Sequence, residues 1–164
     1  METHPVYNVA VENYEYEESA DVYVNGDLFV HFPNDDGCRG LYVNTDRTLM
    51  LKLEHHDDLR QFAIEAQIWQ EIEDEDRKHF SPILAAGENG RCGWIVTTFY
   101  PDLESARGAS VEQTELADRM AEKYNLNDWF LRQWKIRPDG SIVIHDFGIS
   151  YSRDKHVEIS EIAA

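Results

Sequence analysis

From Asp27 to Tyr100 the chain alternates short apolar runs with turn residues, and one long amphipathic run interrupts the series. Leu28-Phe29-Val30-His31-Phe32 predicts a strand, Pro33-Asn34-Asp35-Asp36-Gly37-Cys38-Arg39-Gly40 a turn-rich loop, and Leu41-Tyr42-Val43 a second strand. Asn44-Thr45-Asp46-Arg47 turns the chain into a third strand, Thr48-Leu49-Met50-Leu51-Lys52-Leu53, which makes an antiparallel meander. Asp57 or Asp58 can cap a helix that runs to about Glu73. Leu59, Phe62, Ala66, Trp69 and Ile72 recur in it at steps of three and four, and Ile64 and Ile68 widen its apolar face. Beyond the acidic run from Glu71 to Asp76, Pro82 and the turn Glu88-Asn89-Gly90-Arg91 frame two more strands, Ile83 to Gly87 and Trp94 to Tyr100. Five strands around one helix predict an α+β fold.

The flanks are simpler. Ser110-Val111-Glu112-Gln113 has capping-box spacing and opens a second helix with Leu116, Ala117, Met120, Ala121 and Tyr124 on one side. Pro138-Asp139-Gly140 is a turn between Trp134-Lys135-Ile136-Arg137 and Ser141-Ile142-Val143-Ile144-His145, so a short hairpin is expected there. The segment 1–26 contains Glu12-Asn13-Tyr14-Glu15-Tyr16-Glu17-Glu18 without a clear apolar period, and reads as an acidic arm or an edge strand.

Charge narrows the function classes. With 32 acidic and 15 basic residues among 164, the formal net charge is −17, opposite to the basic footprint that binds phosphate backbones, so direct nucleic-acid binding is not expected. The apolar runs, such as Trp94 to Val96 and Ile142 to Ile144, fall far short of the roughly 20 residues that cross a bilayer. Met1-Glu2-Thr3-His4-Pro5 carries no basic region followed by an apolar core, so a cytoplasmic location is expected. Cys38 and Cys92 form no CxxC and read as free thiols in preference to a single disulfide between them.

The hairpin delivers Asp146-Phe147-Gly148 at its end, and three features precede this triplet in a telling order. They are the glycine-bearing loop, a strand lysine and a helix glutamate. From about Leu28 to Gly148 the chain resembles a protein kinase, particularly the short kinases encoded by bacteriophages. The fold this implies is a truncated kinase-like domain over 1–164. Residues 27–100 would form the N-lobe-like part, a five-stranded antiparallel sheet with one packed helix. Residues 101–164 would form a reduced C-lobe-like part, a helix plus a hairpin. The loop from Asp35 to Gly40 keeps two of the three glycines of the kinase phosphate loop, Gly37 and Gly40, with Asp35 in place of the first. Lys52 falls at the phosphate-binding lysine and Glu65 at its ion-pair partner. A glutamate between Ile64 and Ile68 needs a partner on its own account, because a buried unpaired carboxylate is costly. Trp94 to Pro101 resembles the strand that leads to the hinge, where Phe99 and Tyr100 would receive adenine, although it reads equally as a core strand.

Asp128 precedes Asp146 by the family's usual interval and matches the catalytic aspartate. Taken alone it is equally a loop or helix-cap residue. Leu126, Asn127 and Phe130 depart from the pattern of the catalytic loop, and Gln133 stands where an asparagine holds a metal ion. Asp146 would be the principal Mg²⁺ ligand. The resemblance thus implies ATP and Mg²⁺ as cofactors and transfer of the γ-phosphoryl group to a serine or threonine of a host protein. The alternative is a catalytically inactive pseudokinase that uses its acidic clusters, Glu12 to Asp21 and Glu71 to Asp76, to bind a basic host protein or to mimic nucleic acid.

Overall fold

A computed structural model describes residues 7–15, 19–33, 39–55, 60–90, 92–126, 129 and 133–147. The expectations placed on Asp35, Gly37, Cys38, Asp57, Asp58, Asn127, Asp128, Phe130 and Gly148 fall outside these residues. Seven strands form one sheet: β1 (Val9–Glu12), β2 (Asp21–Val24), β3 (Asp27–Phe32), β4 (Gly40–Val43), β5 (Leu49–His55), β6 (Ile83–Asn89) and β7 (Cys92–Thr98). Their order is β1-β2-β3-β4-β5-β7-β6, and every neighbouring pair is antiparallel. Helix α1 (Gln61–Glu71) lies between β5 and β6 in the chain.

The sheet has seven strands where five were expected, because the segment before Asp27 contributes two. The cause is local. Asn25 and Gly26 both have positive φ, 53° and 83°, the two-residue turn that matches the twist of an antiparallel pair. That turn sets Val22 opposite Phe29 and Val24 opposite Asp27, and β1 then adds Val9 across from Val24. Val9, Val22 and Val24 are buried.

The two faces of the sheet have different partners. One carries Val22, Val24, Phe29, Tyr42, Leu51, Leu53, Trp94 and Val96, which pack on one another. This is possible because the sheet curls until β1 reaches β6, the far end of the strand order. The Asn89 side-chain amide donates to the Val9 carbonyl at 2.6 Å, and Asn89 Oδ1 accepts from the Trp94 indole at 3.3 Å. The other face receives α1, whose Phe62, Ala63 and Ala66 sit against Ala86 and Ile95. Gly93 lets the Phe62 ring lie directly on the backbone of β7, in space that a Cβ would fill.

The opposite side of α1 supplies Ile64, Ile68 and Ile72 to a further core. It is completed by α2 (Val111–Lys123) and by a small sheet of β8 (Glu104–Ser105), β9 (Trp134–Ile136) and β10 (Ile142–Ile144). Phe80 knits this core together, bridging to Ile144 and standing edge-on to Tyr124 and Phe147. One helix therefore serves both halves, which fixes the hairpin end relative to the sheet.

The helix starts differ from each other. Ser110 and Gln113 form the expected capping box, and the Gln113 amide also donates to the Gly140 carbonyl at 2.8 Å, tying α2 to the β9–β10 turn. Helix α1 begins after Arg60, which is left-handed (φ 51°) and lends no side-chain cap. The Glu54 carboxylate of β5 instead accepts the Phe62 N–H. Among the described residues no helix is long and apolar enough to cross a membrane.

Candidate functional site

Register places Lys52 of β5 opposite Leu41 of β4 and Ile95 of β7, so its side chain shares their face, the one that α1 covers. Helix α1 brings Glu65 up to it. Lys52 Nζ is 2.7 Å from Glu65 Oε1 and donates to the His145 carbonyl at 2.6 Å. The Glu65 side chain is 1% exposed. Lys52 is buried as well, so it does not snorkel to solvent.

A second cation shares this carboxylate. Arg39, the residue before β4, sets Nη1 2.7 Å from Glu65 Oε2 and Nη2 3.2 Å from Asp146 Oδ1. Its side chain is 6% exposed, that of Asp146 43%. Burial by itself lowers the pKa of the Arg39 guanidinium, but Glu65, Asp146 and Glu54 outweigh burial and hold it above its ordinary value. Burial pushes the Glu54 carboxyl up, against the pull of Arg39 and of the Phe62 and Gln61 amides. The result is a nearly dry cluster in which two cations and the carboxylates of Glu65 and Asp146 balance, with Asp146 as its solvent-facing member.

Gly40 opens β4 directly after Arg39, so Lys52, Glu65, Gly40 and Asp146 are gathered in one place. Gln133 lies just before β9, and its carbonyl accepts from the His145 N–H at 3.0 Å, one residue from Asp146. Sequence reasoning missed Arg39, because a loop arginine beside Gly40 has no local mark of burial. Its partners are 26 and 107 residues away.

An apolar shelf extends from Lys52 along the same face. Val30, Val43, Met50 and Thr97 pair in one cross-strand row, and Phe32, Leu41, Lys52 and Ile95 in the next. Val30 is 62% exposed, so the shelf is open where it leaves α1. At its edge the Phe99 ring stands edge-on to Phe32 at 5.4 Å, and Arg47 lies over both rings. The Phe99 N–H already donates to the Thr48 carbonyl at 2.8 Å. Pro101 has no N–H, so Tyr100 carries the other backbone donor of these three residues. The Tyr100 ring packs under the Arg137 guanidinium at 5.2 Å.

His145 supplies a pH test of the cluster. Burial, with Lys52 nearby, lowers its imidazole pKa to about 4, and Nε2 is buried with no hydrogen-bond partner among the described residues. A histidine depressed in the folded state stabilises it above the unfolded pKa of about 6.5, and that contribution is lost as pH falls toward 4. Between pH 7 and pH 4 the wild-type chain should lose roughly 3 kcal/mol more than His145→Gln. Urea midpoints at the two pH values check this, and equal losses in both chains would refute it.

No family model matches the chain, and no curated protein does. The chain is similar to the bifunctional kinase-methyltransferase WbdD, with a TM-score of 0.52 and 15% identity over 87% of its length. The match spans 41% of that chain, and at this identity the likeness is one of fold.

Proposed function

We propose that this chain is an ATP- and Mg²⁺-binding protein that transfers the γ-phosphoryl group to a serine or threonine hydroxyl of a host-cell protein. The observation that carries the reading is the buried Lys52–Glu65 pair held beside Asp146, at the end of an apolar shelf. Lys52 would bind phosphate oxygens, with Glu65 fixing its position. The shelf of Val30, Leu41 and Met50 would take the flat face of adenine, and the Tyr100 N–H would meet the ring edge. Asp128, by its resemblance, would orient the attacking hydroxyl and take up its proton.

The donor set suits Mg²⁺. Asp146 already holds a cation, the Arg39 guanidinium, and Gln133, by its resemblance, would add an amide oxygen. Among the described residues no three His, Cys, Asp or Glu side chains cluster as a metal site. Mg²⁺ is usually held by one or two protein oxygens and completed by phosphate and water, so Asp146 would supply the main protein ligand. When bound, the ion would screen the charge between Asp146 and the phosphates.

The test is thermal. A ligand that binds only the folded state raises stability by about 2.7 kcal/mol at a hundredfold excess over its Kd. MgATP should raise the melting temperature of the wild-type chain and leave Lys52→Met and Asp146→Ala unmoved. No shift of the wild type at millimolar MgATP would sink the reading.

A second reading, a non-catalytic scaffold, is favoured by Leu126. It is buried in the core beneath α2, where the kinase pattern has a histidine. Its acidic surface would serve as the interface to a basic host protein, although Glu73 and Asp76 are already engaged by Lys123. A wild type that is stabilised by MgATP yet transfers no phosphoryl group to any protein of a host lysate decides for the scaffold.

A further inference from the structure

Arg39 is given no role toward nucleotide in the reading above, yet it is as buried as Lys52 and is held at both ends by carboxylates. Its two contacts are unequal. The Glu65 end is short, at 2.7 Å, and lies against a side chain 1% exposed, whereas the Asp146 end is longer, at 3.2 Å, and lies against one 43% exposed. Solvent and mobile ions reach the second contact and not the first, so the Asp146 contact is the one that can be exchanged. A divalent ion on the Asp146 carboxylate would stand close to the guanidinium, and the repulsion between the two positive charges makes them compete for it.

We propose that Arg39 is a phosphate-binding residue parked on Asp146, and that a divalent ion arriving with nucleotide takes this carboxylate and releases the guanidinium to the phosphates. The inference rests on the nucleotide reading given above. Glu65 anchors Arg39 through the exchange, so the movement is confined to Nη2 and its neighbourhood. The released donors then face a ligand whose oxygens suit a guanidinium fork. Lys52 and Arg39 would contact the phosphates from the same glutamate, one from each oxygen.

The exchange predicts effects of opposite sign on one substitution, which a merely structural role would not produce. Without nucleotide, and with Mn²⁺ as the probe followed by its electron paramagnetic resonance, Arg39→Gln should bind the ion about tenfold more tightly than the wild type. The added Asp146→Asn change should abolish that gain. With MgATP followed by calorimetry, Arg39→Gln should bind about tenfold more weakly, and Arg39→Lys should fall between. Circular dichroism at each titration temperature establishes that the variants are folded. If Arg39→Gln gains no Mn²⁺ affinity, or gains it equally with Asp146→Asn present, the parking contact is overturned. If it gains Mn²⁺ but binds MgATP as well as the wild type, the phosphate role is overturned. If the wild type binds no MgATP while the Mn²⁺ gain appears, the nucleotide reading fails and the competition at Asp146 stands.

Discussion

Replacing Glu65 by alanine should destabilise the protein by about 3 to 5 kcal/mol, enough to unfold much of a domain of ordinary stability. The cost does not come from the lost carboxylate alone. Lys52 and Arg39 both point at it from 2.7 Å in a place water hardly reaches, and its removal leaves two buried cations sharing what remains. Lys52 keeps the His145 carbonyl and Arg39 keeps Asp146, so the site is weakened and not stripped. Glu65→Gln preserves shape and one acceptor oxygen, and should cost about half as much. Urea unfolding followed by circular dichroism measures both. A loss below about 1 kcal/mol for the alanine variant would mean that the cluster contributes little net stability.

Gly93→Ala carries the second large effect, about 3 kcal/mol. A methyl group there would overlap the Phe62 ring, which is fully buried between α1 and β7 and has no open side to move toward. Overpacking of this kind displaces either the ring or the helix. Displacing the helix would draw Glu65 away from Lys52, so under the proposed nucleotide role the variant should also bind MgATP less well. Trimming the ring identifies the cause. Gly93→Ala combined with Phe62→Leu should be more stable than the sum of the two single losses predicts, because each change relieves the other. Strict additivity would show that the clash is not the source.

The parts of this structure that were legible in the sequence are those specified within a few residues. The capping box at Ser110 and Gln113, the turn at Pro138-Asp139-Gly140 and the run of strands from Asp27 onward each follow from neighbours in the chain. The closeness of Lys52 and Glu65 was expected from the kinase resemblance, and the apolar helix face around Glu65 added only that this glutamate needs some partner. Two features escaped for opposite reasons. The β2–β3 hairpin was signalled locally by Asn25-Gly26 between alternating apolar residues, and the surrounding acidic residues obscured it. Arg39 was not signalled locally at all, since its burial exists only once β4, α1 and the end of β10 have come together. The cap of α1 belongs to the same class: its carboxylate comes from Glu54 on a neighbouring strand.

The meeting of β1 with β6 bears on the order of assembly. The strand that closes the curl is synthesised first, but the amide that holds it belongs to Asn89, 80 residues later. At roughly 5 to 20 residues per second, a ribosome needs several seconds to cover that interval. Until then Val9, Val22 and Val24 have no finished interior to enter. Contacts so far apart in sequence are also slow to form once both partners exist. The N-terminal hairpin is therefore made first and secured last, so changes that weaken the Val9–Asn89 seam should lower the yield of folded chain more than the stability of the molecules that complete it.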